Sequence, residues 1–155
     1  MRLSAGEYVI ENSPDDQIRL AWQTRDPTAA RRVRAHVNVD GTSADILTEG
    51  PSNGFDVTIA VPARSDLVIR LSAGDLTIRG IEGHKDVSAW AGDLKIGVGT
   101  ATNYRAVEAS VLAGEIRAAP FSGSTGGLFR SFHWSGSGPY ELRARLTAGE
   151  ITLAE

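Results

Sequence analysis

Apolar and polar residues alternate strictly over four stretches of this chain: Leu67, Ile69, Leu71, Ala73; Val87, Ala89, Ala91; Val107, Ala109, Val111, Ala113; and Leu142, Ala144, Leu146, Ala148. A period of two predicts strands with one buried face. Further strands are predicted in "QIRLAWQ" (Ile18, Leu20, Trp22), "VRAHVNV" (Val33, Ala35, Val37, Val39) and "FDVTIAV" (Phe55, Val57, Ile59, Val61). Asp40-Gly41 marks a turn between two of them, and Asp26-Pro27 followed by "TAARR" predicts a short helical turn.

Each of the four alternating stretches ends on the same phrase, Ala-Gly followed by an acid, and a fifth copy stands at Ala5-Gly6-Glu7. After the glycines at 74, 92, 114, 149 and 6 the chain reads "GDLTI", "GDLKI", "GEIRA", "GEITL" and "GEYVI". Parity breaks at that point. Ala73 and Leu76 are three apart, so in a straight strand they would face opposite sides. A corner or a bulge at the glycine keeps both inside, because glycine reaches positive φ without a Cβ clash. The acid then faces outward. Gly6, Gly74, Gly92, Gly114 and Gly149 are therefore predicted structural corners.

Spacing says how the corners stack. Gly74 and Gly92 are 18 residues apart, and Gly92 and Gly114 are 22 apart, close to the roughly 20-residue lower end of known repeat periods. Coils of that length place each corner above the last. The longer interval to Gly149 is filled by "PFSGSTGGLFRSFHWSGSGP", which reads as a loop insertion. The expectation is one all-β domain over residues 1–155, a short β-solenoid of stacked coils with an N-terminal antiparallel hairpin region. Its parts would be strands and hairpins at 1–54, regular coils at 55–119, a Gly/Ser/aromatic insertion or cap at 120–140, and a final coil at 141–155.

Composition narrows the chemistry. At 155 residues the chain is long enough to bury a core without metal or disulfide. It has no cysteine, which removes thiol chemistry and Cys-based zinc sites. The net charge of −3 gives no electrostatic case for nucleic acid or an anionic membrane. No stretch approaches 18 consecutive apolar residues, so no membrane insertion is expected. The opening "MRLSAGEYVI" lacks the pattern of a signal peptide.

No catalytic set emerges. His36, His84 and His133 share no metal-ligand spacing, and nucleotide, nucleophile-elbow and calcium-loop motifs are missing. Stacked acids at Asp75, Asp93 and Glu115 form a candidate carboxylate ladder for a hard cation, yet the copies lack the calcium-repeat pattern, so no metal or cofactor is expected. The aromatic group Phe129, Phe132, His133, Trp134 and Tyr140, with Phe121, is the candidate surface. Such rings form either a recognition platform or a cap over the exposed end of the core.

The run "FDVTIAVPARSDLVIRLSAGDLTIRGIEGHKDVSAWAGDLKI" resembles a bacterial adhesin family of β-solenoid domains of unknown function, and "GGLFRSFHWSGSGPYELRARLTAGEITL" is similar to the C-terminal segment of one subgroup. The resemblance implies a cell-envelope or extracellular setting, behind a signal or anchor, and no catalytic residues. A non-enzymatic adhesin-like or scaffolding domain is the function it implies, with an envelope polysaccharide or a surface protein as partner. Two other functions stay open: a structural protein self-associating through strand edges, and a carbohydrate-binding or carbohydrate-active β-helix.

Overall fold

Strands form over each of the alternating stretches in the computed structural model, which describes residues 1–51 and 54–155. They are β1 (Arg2–Leu3), β2 (Gly6–Ser13), β3 (Arg19–Thr24), β4 (Arg34–Asp40), β5 (Ser43–Glu49), β6 (Phe55–Pro62), β7 (Leu67–Leu71), β8 (Gly74–Arg79), β9 (Lys85–Gly97), β10 (Tyr104–Ala118), β11 (Gly123–Ser135) and β12 (Tyr140–Ala154). The "TAARR" turn is a single 3₁₀ turn at Ala29–Arg32. With 70% strand and 7% helix the chain is all-β, and its one 12-stranded sheet curls into a half-barrel.

The curl comes from a bend that neighbouring strands make at the same place. β9, β10 and β12 run through it, whereas at β1/β2 and β7/β8 it divides one strand from the next. Two limbs result, and the core lies between them. One limb carries the rows Leu71–Ala89–Leu146–Val111 and Ile69–Val87–Ala144–Ala109. The other carries Tyr8–Leu76–Leu94–Ile151–Ile116 and Ile10–Ile78–Ile96–Leu153–Ala118. All these side chains are buried. In-register rows of aliphatic side chains pack without gaps, and each buried Leu or Ile contributes about 1.5–3 kcal/mol.

Gly74, Gly92, Gly149 and Gly114 lie side by side along the bend, at φ of 111°, 126°, 131° and 147°. Gly6 pairs with Gly74 at the end of the line but is not in the positive-φ region. Residues pair across the bend without slipping: Ala113 with Ala148, Gly114 with Gly149, and Glu115 with Glu150. No bulge is needed between these neighbours, because each strand makes the same turn. A Cβ on Gly92 would run into the carbonyl oxygen of Gly74, and one on Gly149 into that of Gly92. Backbone direction and close approach both demand glycine here.

Two expectations are corrected. The corners do not stack in chain order, since β12 enters between β9 and β10 and Gly149 sits between Gly92 and Gly114. The stretch read as a loop insertion is in fact β11, paired antiparallel with β10 from Ala106↔Ser135 to Ala118↔Gly123. Both have one cause. After β10 the chain turns at Ala119–Phe121, forms the outermost strand, and must step back over β10 to reach its slot. Glycine and serine are abundant in β11 because an edge strand has one open side and buries little. In the N-terminal region β4–β5 alone, among the described residues, is a tight hairpin, with Gly41 at φ 58°. β1 and β2 instead join the parallel rows beside β7 and β8.

Candidate functional site

Outward positions of the first limb form rows that cross the strands. The row just before the bend holds Ser72, Trp90, Thr147, Leu112 and Phe129, brought abreast by the register on either side. Trp90 is 70% exposed, Leu112 43% and Phe129 80%, with Leu128 beside it at 65%. Trp90 and Leu112 sit in the polar phase of strands whose apolar phase fills the core, so local patterning does not account for them, and Phe129 stands beside Leu112 on the edge strand. Trp90 and Phe129 are three inter-strand steps apart, about 14 Å. Together they form an apolar ridge along the outside of the bend.

A polar row runs beside the ridge: Arg2, Arg70, Ser88, Arg145, Ser110 and Ser131. Asp86 holds Arg70 at 3.2 Å and Arg145 at 3.9 Å, and Arg143 meets Glu108 at 3.3 Å. These half-exposed ion pairs add little stability but fix where the guanidinium groups point. His133 lies outward with Glu108, Arg143 and Arg145 around a small depression of 80 Å³.

The aromatic group expected from the sequence is divided by this geometry. Phe132 and Trp134 are half-buried on the inner face of β11, opposite Ala109 and Val107. They pack on buried Phe121, whose ring lies 4.8 Å from that of Trp134 and 6.5 Å from that of Phe132. Tyr140 is half-buried between His84 and Tyr104. Phe129 and His133 alone point outward. Trp90 and Leu112 belong with Phe129, and the signal for them was in the sequence: each is a large apolar residue out of phase with its own strand.

Beyond the bend the acids stand in register, Asp56, Glu7, Asp75, Asp93, Glu150 and Glu115. Like charges one strand apart repel, and the row is relieved in three ways. Arg25 lies 3.4 Å from Glu7, one strand in from Asp56, and Arg117 bridges Glu115 at 3.0 Å and Glu150 at 3.2 Å at the other end. Between them Asp75 accepts the backbone N–H of Asp93, and Asp93 accepts that of Glu150. The Arg117 hydrogen bond holds the Glu115 carboxyl below its ordinary range. Among the described residues no three His, Asp or Glu side chains converge on a metal-sized site.

One charged group lies inside. Lys85 occupies a core row between Leu67 and Leu142 and is 2% exposed. Its Nζ donates to Tyr104 Oη at 2.8 Å and to the Gly83 carbonyl at 3.3 Å. Burial pushes the lysine down to about 8, partly offset by Glu82 and Asp66, and pushes the Tyr104 phenol up to about 12. Lys85 thereby ties the Gly83 turn to the start of β10. Nearby, a cleft of about 740 Å³ lies at the N-terminal end of the core, lined by Ile18, Ile46, Val61, Leu67, Asp66 and Tyr140 among others.

No protein-family model matches the sequence, and no curated protein matches it. Among solved structures the chain is similar to one described as a "putative cell adhesion protein" from Clostridium sporogenes, at 13% identity and a TM-score of 0.57, over 98% of this chain and 89% of that one. At that identity the similarity speaks for the fold, an all-β sheet of this curvature.

Proposed function

We propose that this chain is a non-enzymatic binding module of the cell-adhesion type, displayed at the cell envelope, whose bent strands act as the coils of a short solenoid. The observation that carries the reading is the ridge. Trp90, Leu112 and Phe129 are held in one row across β9, β10 and the antiparallel edge strand β11 and left open to solvent, where large apolar side chains mark an interaction surface. The proposed partner is an envelope polysaccharide. Trp90 and Phe129 would stack on sugar faces, and the adjoining Arg70, Ser88, Arg145, Ser110 and Ser131 would donate hydrogen bonds to hydroxyl or carboxylate oxygens. The similarity to a protein described as adhesive supports the class of function.

The experiment is a pull-down of envelope polysaccharide fractions with the wild-type chain and with Trp90→Ala/Phe129→Ala. Retention by the wild type and loss in the folded double variant is the expected result. Equal retention by both would overturn the ridge as the binding surface, and retention of protein fractions alone would replace the glycan with a surface protein.

A further inference from the structure

Among the described residues the curled sheet has three outermost strands, β3, β4 and β11, and they are not equivalent. β11 carries Gly126-Gly127 and two positive-φ residues, Gly127 and Phe129, which break its flatness. An interrupted edge is a poor template for another strand. β3, with the sequence RLAWQT, has a basic residue at one end and no acid to answer it. β4 differs from both.

β4 reads Arg34-Ala35-His36-Val37-Asn38-Val39-Asp40 and pairs, among the described residues, with β5 alone. Six of its seven residues are exposed, and it contains no proline, lysine, glycine or positive-φ residue to guard its free side. Its inner face continues a core row outward: Ala35 is opposite buried Thr48, Val37 opposite buried Ile46, and Val39 opposite Ala44. Yet Val37 is 44% exposed and Val39 62%. The last row of the core is unfinished at this end, whereas Phe121, Phe132 and Trp134 close the other.

The sequence of β4 complements itself. If a second copy pairs antiparallel with it about Val37, then Arg34 stands opposite Asp40 twice, Ala35 opposite Val39, His36 opposite Asn38, and Val37 opposite Val37. Apolar residues meet apolar ones on the inner face, and opposite charges meet at both ends of the outer face. Neither Arg34 nor Asp40 has an ion-pair partner within its own chain among the described residues. Shifting the pairing by one residue would set inner positions against outer ones, and shifting it by two would lose both Arg34–Asp40 matches, leaving Arg34 opposite Asn38 or Thr42. We infer that the chain forms a two-fold dimer through β4, with the two half-barrel sheets continuing into each other and Val37 on the symmetry axis. Such an isologous contact closes on itself, so it ends at two copies and does not grow into a fibre. It uses a face remote in the strand order from the ridge, and it stands or falls independently of what the ridge binds.

Sedimentation of the full chain over a wide dilution series tests this, with melting curves to check that each variant folds. The expected results are a concentration-dependent dimer for the wild type and monomers for Arg34→Asp, Asp40→Arg and Val37→Lys. The charge-swapped Arg34→Asp/Asp40→Arg should regain the dimer, because it restores both opposite-charge pairs in reverse. A wild type that stays monomeric at the highest concentration, growth beyond two copies, a dimer indifferent to Arg34→Asp, or a double variant that stays monomeric would each overturn the inference.

Discussion

The ammonium of Lys85 donates to the Tyr104 hydroxyl at 2.8 Å inside the core, and among the described residues no carboxylate forms an ion pair with it. This gives folding a pH dependence in alkali. In the unfolded chain Lys85 keeps its proton up to the ordinary lysine value of 10.5; in the folded chain it loses it near 8. Between those values the unfolded state binds more protons, so stability rises with pH, by up to about 3 kcal/mol over the window. Tyr104 acts in the opposite sense, since its phenol ionises near 10 unfolded and near 12 folded, and stability falls across that range. The Met1 amine, lowered by burial, adds its own rise below pH 8. Urea midpoints should therefore increase from about pH 7.5 to about pH 9.5. Lys85→Met should be more stable than wild type at neutral pH and should lose most of that rise. A rise of equal size in the variant would show that Lys85 does not titrate as its surroundings require.

Gly92 provides a test of the bend. With φ at 126° and the Gly74 carbonyl where a Cβ would go, Gly92→Ala should cost at least about 3 kcal/mol, well above the effect of an ordinary surface change. Gly41, also at positive φ but with open space around it, is the control. Gly41→Ala should cost only its backbone strain, about 1–2 kcal/mol. Thermal or urea melts of the two variants settle the difference. Equal losses would mean that conformation alone, and not the stacking of glycine on glycine, fixes the residue.

Much of this was legible in the sequence because alternation is a local signal. The phases of Leu67–Leu71 or Val107–Val111 state which side is buried before any partner is known, and the repeated Ala-Gly-acid phrase marks where that phase resets. Strand order is different in kind. Nothing near Gly149 states that its neighbours are Gly92 and Gly114, because parallel pairing is settled by which open edge a strand reaches when the chain returns. The same limit hid β11. Its glycines and serines carry no buried phase, yet it pairs along β10 from Ala106↔Ser135 to Ala118↔Gly123. Trp90 illustrates a third case: alternation placed it outside, and a rule that looks only for buried apolar residues passes over it.

Phe129 holds a bulky aromatic side chain at φ 52°, a conformation that costs an L-residue about 1–2 kcal/mol and that glycine adopts freely. Its ring is 80% exposed and gives little back through burial. Phe129→Gly should therefore leave stability unchanged or raise it by up to about 1 kcal/mol, after allowing for the larger backbone entropy of glycine in the unfolded chain. Urea unfolding measures this directly. A clear loss of stability would show that the ring packs against the ridge more tightly than its exposure implies, and the reading of Phe129 as a residue kept for binding would lose its basis.

Trp134, inside the end of the core, and Trp90, on the ridge, should separate stability from recognition. Trp134 is half-buried and packed at a tilt against Phe121, with the apolar ends of the β10 and β12 rows behind it. Removing it opens the end of the core, so Trp134→Ala should cost about 3 kcal/mol or more. Trp90 is 70% exposed, and nothing in the core depends on it, so Trp90→Ala should stay within about 0.5 kcal/mol of wild type. Binding should show the reverse order when both variants are compared at a temperature where both are folded: Trp90→Ala loses retention of the polysaccharide fraction, and Trp134→Ala keeps it. If Trp134→Ala loses binding while folded and Trp90→Ala does not, recognition belongs to the inner face of β11, and the ridge is only an exposed row of the sheet.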